Sequence, residues 1–339
     1  MDKLERAIDD IRRKWVPDPR LGVFQMALQF EDTGEGSRTL LLGMTTSRQA
    51  QEALRKLAAE GGFSEDVRLI PDKAAGQDHV AIVTAALAPL LGHNSLDSAR
   101  VNEALHGEAL EILDRQGDWL RVRAPDEYVA WVHAGYVATG PDDWGKDWAE
   151  RATARAVGAE LQTDGGRRRL PLGARLALRR DGAVELADGV VGAIVAGEVR
   201  REGELRAEAR HLALPELAQR SYGGAPYLWG GRTEWGIDCS GLTQAVYAAR
   251  GIQLMRDSDQ QFGQGREVAL SADGTGYEAG DLLFFTERGR VSHVALWAGA
   301  GRIVHSTLPC GGVVRDDLFS PEPRMTGLRA NLVGVRRCG

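Results

Sequence analysis

The 339-residue chain contains only three cysteines, Cys239, Cys310 and Cys338, and they are widely separated. Three scattered cysteines are too few for a disulfide framework or for a four-ligand zinc site. No apolar run approaches the roughly 18 residues that cross a bilayer. The chain also lacks basic blocks and has a net charge of −6, which argues against a nucleic-acid or anionic-membrane partner. Its composition, 43% hydrophobic and 27% charged, is that of a globular protein and excludes disorder as the main state.

The first fifteen residues, MDKLERAIDDIRRKW, lack the apolar core of a secretory signal peptide. Their apolar residues fall at helical spacing, which predicts an amphipathic surface helix. We therefore expect a cytoplasmic protein if Met1 is the native start, whereas a different start site would allow export. Further expected elements are strands over 23–30, 39–42 and 67–70 and a helix over 46–59. Residues 1–75 are thus predicted to form a small α+β unit, in which no catalytic chemistry is evident.

Residues 76–140 change to short strands separated by Gly and Asp, which favours a small β-barrel. Residues 149–203 again contain strand-sized runs and are predicted to form a second, degenerate barrel. A Pro/Asp/Gly-rich connector, PDDWGKDW, lies between the two. The first segment resembles a bacterial SH3 (SH3b) domain through Gly107-Glu108, Gly117-Asp118-Trp119 and Tyr128-x-x-Trp131. That resemblance implies binding of cell-wall peptides; the alternative is a barrel that only shapes its neighbour.

The first candidate catalytic residue is Cys239, at which a helix is predicted to begin. Asp238 is a good N-cap for this helix. The first turn of a helix favours a thiolate through its dipole and its free N–H groups, whereas the Asp238 carboxylate opposes one. A second cation is therefore needed, and an imidazolium can supply it. A buried structural cysteine is the alternative. The apolar stripe at helical spacing consists of Leu242, Ala245, Val246 and Ala249.

Two consecutive predicted strands carry His293 and His305. If Trp297 pairs with Gly301 across a three-residue loop, the two histidines oppose each other directly. Their Cβ atoms would then lie roughly 4.5–5.5 Å apart on one face, and a one-residue slip would separate them. Thiol catalysis needs this arrangement, with Cys239 as nucleophile, His293 as base and His305 as the residue that orients the base. An ordinary strand histidine is the alternative for His305.

These residues, with the preceding PYLWGG and the intervening GDLLFF, resemble the NlpC/P60 cysteine peptidases over residues 210–339. The resemblance implies a papain-like core, in which a helix carries the cysteine and an antiparallel sheet carries the histidines. It also implies that Cys239, His293 and His305 form a catalytic triad acting on bacterial cell-wall peptides. The expected fold class is therefore α+β: a papain-like NlpC/P60 catalytic domain preceded by one or two small SH3b β-barrels and the small N-terminal unit.

The order of these domains resembles that of the γ-D-glutamyl-diaminopimelate endopeptidases of the YkfC-like type. Those enzymes cut cell-wall peptides between D-Glu and the diamino acid and require a free N-terminal L-Ala. The resemblance leaves open whether the diamino acid is diaminopimelate or lysine, and it implies no metal or cofactor. The substrate-binding residues that it implies are Tyr227, Asp238, Ser240, Ser258, Glu103 and Tyr128.

A preference for a free ammonium requires a buried or half-buried anion, because an unpaired charge is costly to desolvate. Asp238 and Glu103 are the candidates, while Ser240 and Ser258 are expected to bind peptide or carboxyl oxygens. Bland roles stay open for several of these side chains. They are helix capping for Asp238 and Ser258, a solvated loop carboxylate for Glu103, and packing against Trp229 for Tyr227. The Tyr227 hydroxyl could alternatively support the oxyanion.

Two other functions stay open. The chain could be a non-catalytic protein that binds wall peptides, against which the intact Cys239, His293 and His305 argue. It could also be an amidase or acyltransferase on the same fold, although a lipid enzyme should carry an apolar face that the sequence does not show. The expected reaction proceeds through a thioester on Cys239. Cys310 and Cys338 are interpreted as structural or incidental.

Overall fold

The computed structural model describes residues 2–32, 37–73 and 78–339. Its N-terminal unit forms a hairpin of β1 and β2, with β3 parallel to β2 and two helices packed on the sheet. Leu41, Leu54 and Val67 are buried between the layers, and the Ser47 hydroxyl caps α2 by accepting from the Ala50 N–H. The elements are α1 (Asp2–Trp15), β1 (Phe24–Asp32), β2 (Ser37–Thr45), α2 (Arg48–Gly61) and β3 (Ser64–Leu69).

A seven-stranded sheet follows, which we call the first β-unit (80–140). Its order, β10-β4-β7-β8-β9-β5-β6, brings β5 and β6 to one edge, next to β9. Leu90, Leu110, Leu120 and Val132 are fully or almost fully buried in its core. The strands are β4 (Val80–Val83), β5 (Leu87–Leu91), β6 (Arg100–Leu105), β7 (Ala109–Gln116), β8 (Trp119–Arg123), β9 (Val129–His133) and β10 (Val137–Gly140).

The second β-unit (154–201) is a five-stranded sheet that closes on itself, because β11 pairs with both β13 and β15. Leu161, Leu176 and Leu186 are completely buried inside it. Its strands are β11 (Ala154–Thr163), β12 (Gly166–Arg169), β13 (Arg175–Leu178), β14 (Val184–Glu185) and β15 (Val191–Arg201).

The expected connector between the two β-units is instead a helix, α3 (Asp142–Arg151). Pro141 precedes the helix, and two aspartates occupy its first turn, where acidic side chains complement the helix dipole. The Pro and Asp residues that suggested a loop therefore mark the beginning of a helix. Trp148 is buried, and its indole N–H donates to the carbonyl of Gly107 at 2.9 Å, so α3 joins the β-units.

The C-terminal region is a six-stranded antiparallel sheet of order β18-β23-β19-β20-β21-β22. α5 and α6 pack on one face of this sheet. Met325 of α8 is buried against strand side chains that point to the other face. The helices are α4 (Glu202–Ala209), α5 (Leu214–Tyr222), α6 (Cys239–Ala249), α7 (Ser258–Gln261) and α8 (Pro323–Ala330). The strands are β16 (Arg232–Thr233), β17 (Gly236–Ile237), β18 (Arg266–Val268), β19 (Leu282–Glu287), β20 (Arg290–Gly299), β21 (Arg302–Thr307), β22 (Gly312–Asp317) and β23 (Leu332–Arg337).

This mixture of helices and largely antiparallel sheets confirms the predicted α+β class. Within the described part of the chain, no helix is long and apolar enough to cross a membrane.

The register between β20 and β21 differs from the predicted one. Trp297 pairs with Ile303, not with Gly301, so the predicted pairing is wrong by two residues. The physical reason is a tighter turn: Ala300 and Gly301 both have positive φ, the geometry of a two-residue hairpin turn. Because side chains alternate with a period of two, a two-residue slip keeps the same face. His293 and His305 therefore still meet, as diagonal neighbours.

Candidate active site

The nucleophile candidate lies at the first residue of α6. Asp238 has extended backbone and caps the helix, its Oδ1 accepting from the Gly241 N–H at 2.7 Å. Cys239 is 7% exposed and lines a cavity of about 580 Å³, which we call the catalytic cavity. The wall residues used below are Arg20, Val101, Trp229, Ser240, Asp257, Ser258 and Asp259.

The Cys239 thiol is held in its neutral form. Burial, and to a lesser extent the Asp238 carboxylate, raises its pKa to about 12, and the sequence predicted the effect of Asp238. The backbone N–H groups of Val294 and Ser240 act in the opposite direction, as does the charge of Arg256. The expected stabilisation of a thiolate at the helix start is therefore outweighed by burial, so the proton has to leave during attack.

A chain of hydrogen bonds runs from His293 to a carboxylate. His293 Nε2 lies 2.7 Å from His305 Nδ1, and His305 Nε2 lies 2.9 Å from Asp316 Oδ2. Arg324 donates to both Asp316 oxygens, at 2.6 and 2.9 Å. These hydrogen bonds with His305 and Arg324 hold the pKa of Asp316 well below its usual value. Asp316 is thus an ionised end to the chain.

An ionised carboxylate only accepts, so it assigns the proton of His305 to Nε2. His305 Nδ1 must then accept the N–H of His293 Nε2, which leaves a lone pair on His293 Nδ1. Burial, and to a lesser extent the charge of His305, lowers the pKa of His293 to about 3. The ring is therefore neutral and oriented as a base.

Asp316 and Arg324 were not predicted from the sequence. Asp316 pairs in register with Ile303, two residues before His305 on β21, and only the β21–β22 register brings it to the histidine. A DD pair at the end of a strand carries no motif that would have indicated this contact.

Asp238 and Ser240 belong to a buried network around Arg256. The Arg256 guanidinium is fully buried and donates to both Asp238 oxygens, at 3.1 and 2.8 Å, and to Ser240 Oγ at 3.0 Å. The Gly230 N–H also donates to Asp238, at 2.8 Å. The Asp238 carboxylate thus has its counter-charge, Arg256, inside the protein. Asp238 therefore caps α6 and lines the catalytic cavity, with its carboxylate paired to Arg256.

Asp257 is one of the carboxylates that line the catalytic cavity, beside Asp238, Asp259 and Glu287. It forms a capping box with Gln260 at the start of α7, so the alternative that Ser258 caps this helix is wrong, and Ser258 lines the cavity instead. Tyr128, at the edge of the first β-unit, donates its hydroxyl to Asp257 Oδ2 at 3.3 Å. Burial raises the pKa of Asp257.

Glu103 is neither a solvated loop carboxylate nor a wall of the catalytic cavity. It is 1% exposed on β6, forms an ion pair with Arg100, and accepts from the Arg232 N–H at 3.0 Å. Val101, two residues earlier on the same strand, is the residue that reaches the cavity. Glu103 therefore joins the first β-unit to the catalytic sheet region through Arg232.

Tyr227 is half-buried beside the nucleophile. Its backbone N–H donates to the carbonyl of Gly311 at 2.8 Å, and its chain forms a bridge with Ile237. Burial raises the pKa of the Tyr227 hydroxyl, and the proximity of Cys239 raises it further. The structure therefore brings Tyr227, Asp238, Ser240 and Ser258 around Cys239.

Comparison with known proteins assigns both regions. Residues 224–329 match the NlpC/P60 family, and residues 91–135 match the bacterial dipeptidyl-peptidase SH3 domain. The chain contains an NlpC/P60 domain preceded by a bacterial SH3 domain. This confirms the resemblance that the sequence motifs indicated.

Two curated relatives are γ-D-glutamyl-L-lysine dipeptidyl-peptidases. The Bacillus subtilis protein is 38% identical over 118 residues, covering 34% of this chain and 37% of the relative. The Bacillus cereus protein is 25% identical over 224 residues, covering 60% of this chain and 66% of the relative. The chain thus spans less than two thirds of either relative, and their names agree with the predicted peptidase class.

A solved NlpC/P60 family protein from Bacillus cereus has the same fold. It superposes with a TM-score of 0.59 at 21% identity, covering 76% of this chain and 99% of that one. An NlpC/P60 endopeptidase from Photobacterium damselae superposes with a TM-score of 0.55 at 14% identity, covering 98% and 82%. The similarity of fold to these two structures therefore extends beyond residues 224–329.

Proposed function

We propose that the chain is a cysteine peptidase that hydrolyses the bond between γ-D-Glu and a diamino acid in cell-wall peptides with a free N-terminal L-Ala. The observation that carries this proposal is the hydrogen-bonded chain His293–His305–Asp316 on the strands against which α6 packs, with the N–H of Val294, the residue after His293, bonded to the Cys239 thiol. The names of the two Bacillus relatives support the substrate class. Soluble peptide fragments are such substrates, which fits a role in cytoplasmic recycling of the cell wall.

The reaction begins when Cys239 Sγ attacks the γ-carbonyl carbon of D-Glu and its proton passes to His293 Nδ1. The first N–H groups of α6 have no acceptor within the helix, and those nearest Cys239 stabilise the oxyanion. His293 then gives its proton to the departing amine, leaving a thioester on Cys239. A water molecule, deprotonated by His293, releases the L-Ala-γ-D-Glu product. Proton transfer within a neutral pair suits a site where burial opposes both ions.

Asp257 is the best-placed partner for the substrate ammonium. Its Oδ2 lies at the cavity wall, where Tyr128 approaches it from the first β-unit. A buried carboxylate without sufficient counter-charge is destabilised, and an ammonium relieves that cost. We prefer Asp257 to Asp238, both of whose oxygens accept from the fully buried Arg256, and to Glu103, which does not line the cavity.

The proposal is tested by incubating the protein with L-Ala-γ-D-Glu-diaminopimelate and with the lysine peptide, followed by mass spectrometry of the products. We expect L-Ala-γ-D-Glu from at least one of them, and none with Cys239→Ala, which retains its fold because a small apolar side chain fits the helix start. Acetylating the L-Ala amine should weaken cleavage by on the order of 2–5 kcal/mol in transition-state free energy, the usual cost of an unpaired buried charge.

Two outcomes would contradict the proposal. If Cys239→Ala retains turnover, Cys239 is not the nucleophile. If wild-type protein binds the peptide without cleaving it, and mass spectrometry finds no acyl adduct on Cys239, the chain is a binding protein on a peptidase fold.

A further inference from the structure

The segment between α1 and β1 reaches the catalytic cavity. Its backbone forms an Asx turn, in which Asp18 Oδ1 accepts from the Arg20 N–H at 2.9 Å. It is fixed from both sides: the Val129 N–H donates to the carbonyl of Arg20 at 2.6 Å, and Gln260 Nε2 donates to Asp18 Oδ2 at 3.0 Å. The segment therefore bridges the first β-unit and α7.

Arg20 extends from this turn into the cavity wall. Its guanidinium donates to Asp257 Oδ2 at 2.9 Å and to the two oxygens of Asp259 at 2.8 Å each. Its Nε and Nη2 also bond Asp18, at 2.9 and 2.8 Å. The hydrogen bond to Asp259 contributes most to raising the pKa of Arg20. A guanidinium with three carboxylate partners is a fixed wall, since moving it breaks several charge-assisted bonds at once.

The charges of this cluster leave room for a second cation. Asp18, Asp257 and Asp259 carry three negative charges in their ionised forms. The positive charges near them are Arg20 and Arg256, and Arg256 acts on Asp257 but is already paired with Asp238. Asp257 Oδ2 is shared between Arg20 and Tyr128, two groups that come from different units of the chain. The position of this oxygen in the cavity is therefore set by Arg20 from one side and Tyr128 from the other.

We propose that Arg20 is a specificity-determining residue, which ends the catalytic cavity beyond the first residue of the substrate and holds Asp257 towards the substrate ammonium. This inference rests on the proposed function. It gives the N-terminal unit, in which the sequence showed no chemistry, a direct part in substrate selection. A peptide extended at its N-terminus has to displace the guanidinium from Asp257 and Asp259 before its γ-carbonyl can reach Cys239.

The test compares two peptides, L-Ala-γ-D-Glu-diamino acid and the same peptide extended by one further N-terminal L-Ala. Both retain an ammonium, so they differ in length alone. In Arg20→Ala we expect the kcat/KM ratio of the short to the extended peptide to fall about tenfold or more, the scale of a lost steric and polar contact. KM for the short peptide should rise while its kcat changes little, because Arg20 does not touch the reacting atoms.

Arg13→Ala is the matched control, since Arg13 is an exposed arginine of the same unit paired with Asp9 on α1. Arg20→Lys, which retains a charge but loses the forked geometry, should give an intermediate ratio. Thermal unfolding shows whether Arg20→Ala is still folded. If Arg20→Ala is unfolded, Asp18→Asn replaces it in the test, because this change removes an ion-pair partner of Arg20 and leaves the guanidinium less firmly held.

A second readout is independent of peptide cleavage. Alkylation of Cys239, resolved from Cys310 and Cys338 by peptide mapping, is measured with iodoacetamide and with a bulky iodoacetamide conjugate. Arg20→Ala should accelerate the bulky reagent selectively. If wild-type protein cleaves neither peptide, the proposed function fails. The ratio of the alkylation rates with the bulky and the small reagent then decides whether Arg20 limits access to Cys239. If cleavage is normal and both ratios equal those of Arg13→Ala, the role of Arg20 is overturned.

Discussion

The direction of each hydrogen bond determines which nitrogen of His293 serves as the base. The Asp316 carboxylate accepts from His305 Nε2, and His305 Nδ1 accepts from His293 Nε2. The free lone pair is therefore on His293 Nδ1. A polar chain of this kind is sensitive to any change that reverses one donor, because every member must then reverse with it.

Asp316→Asn is expected to lower kcat/KM by on the order of 10²- to 10⁴-fold, the range that general acid–base catalysis supplies. The new amide can donate to His305 Nε2, which moves the His305 proton to Nδ1 and places the His293 proton on the nitrogen meant to be the base. Asp317→Asn is the control, since the Asp317 carboxylate instead accepts from the Phe319 N–H. The measurement is kcat/KM for both variants. Equal activity of Asp316→Asn and Asp317→Asn would contradict the hydrogen-bond order proposed for His293, His305 and Asp316.

His305→Ala should reduce turnover less than His293→Ala does. His293 transfers the proton in both steps, whereas His305 is a positioning residue that acts through it. The measurement is kcat and kcat/KM for both variants on one peptide, together with the pH profile of His305→Ala. That profile should shift because His305 contributes, after burial, to lowering the His293 pKa. A larger loss at His305 would mean that the two roles are reversed.

The sequence could predict that His293 and His305 would meet, since period-two alternation on neighbouring strands survives an error of two residues in register. It could not predict Asp316, because that contact depends on a strand partner selected by the whole sheet. The same limit applies to Arg20 and Asp257, which lie 237 positions apart in the chain.

At the scale of elements, α6 is held to the first β-unit by a buried polar network. Arg256 Nε donates to Asn102 Oδ1 on β6 at 2.8 Å, while Gln244 of α6 donates to Asp126 at 3.1 Å. Asn102 and Asp126 also bond each other, at 3.1 Å. The position of the nucleophile helix is thus set partly by residues of another unit. Hydrophobic periodicity predicted α6 correctly but contains no information about such polar contacts between units.

Arg256→Met should lower the free energy of unfolding by about 3–5 kcal/mol, the cost of leaving one member of a buried ion pair unmatched. Urea denaturation measures this, with Arg266→Met, an exposed arginine on β18, as a control expected to stay within about 0.5 kcal/mol. The double variant Arg256→Met/Asp238→Asn should be less destabilised than the sum of the single changes. Strict additivity would mean that the two side chains do not interact.

At the scale of the whole molecule, the two β-units meet at a neutral histidine. His106 is 1% exposed; its Nδ1 lies 3.1 Å from the carbonyl of Thr84, and its Nε2 accepts from the Ala187 N–H at 3.0 Å. Gly107 follows with positive φ, and a Cβ there would lie 2.4 Å from the carbonyl oxygen of Arg175. This junction therefore requires both a glycine and an unprotonated His106 Nε2.

Burial lowers the pKa of His106 below the ordinary histidine value of about 6.5, and the sign of the stability change follows. Below pH 6.5 the unfolded chain binds a proton at this residue that the folded chain excludes, so folding loses free energy as the pH falls towards the folded-state pKa. The loss is at most about 1.4 kcal/mol per pH unit for one such site. It is absent above pH 6.5, where both states are neutral.

His106→Gln retains an acceptor for the Ala187 N–H but cannot be protonated, so its free energy of unfolding should fall less between pH 7.5 and 5.5 than that of the wild type. Urea denaturation at both pH values measures the difference, and the lowered pKa of His293 contributes equally to the two proteins. His93→Gln, at an exposed histidine of the first β-unit, should retain the wild-type slope. If His106→Gln also retained it, His106 would be charged in the folded protein, and the Ala187 contact could not hold the two β-units together as described.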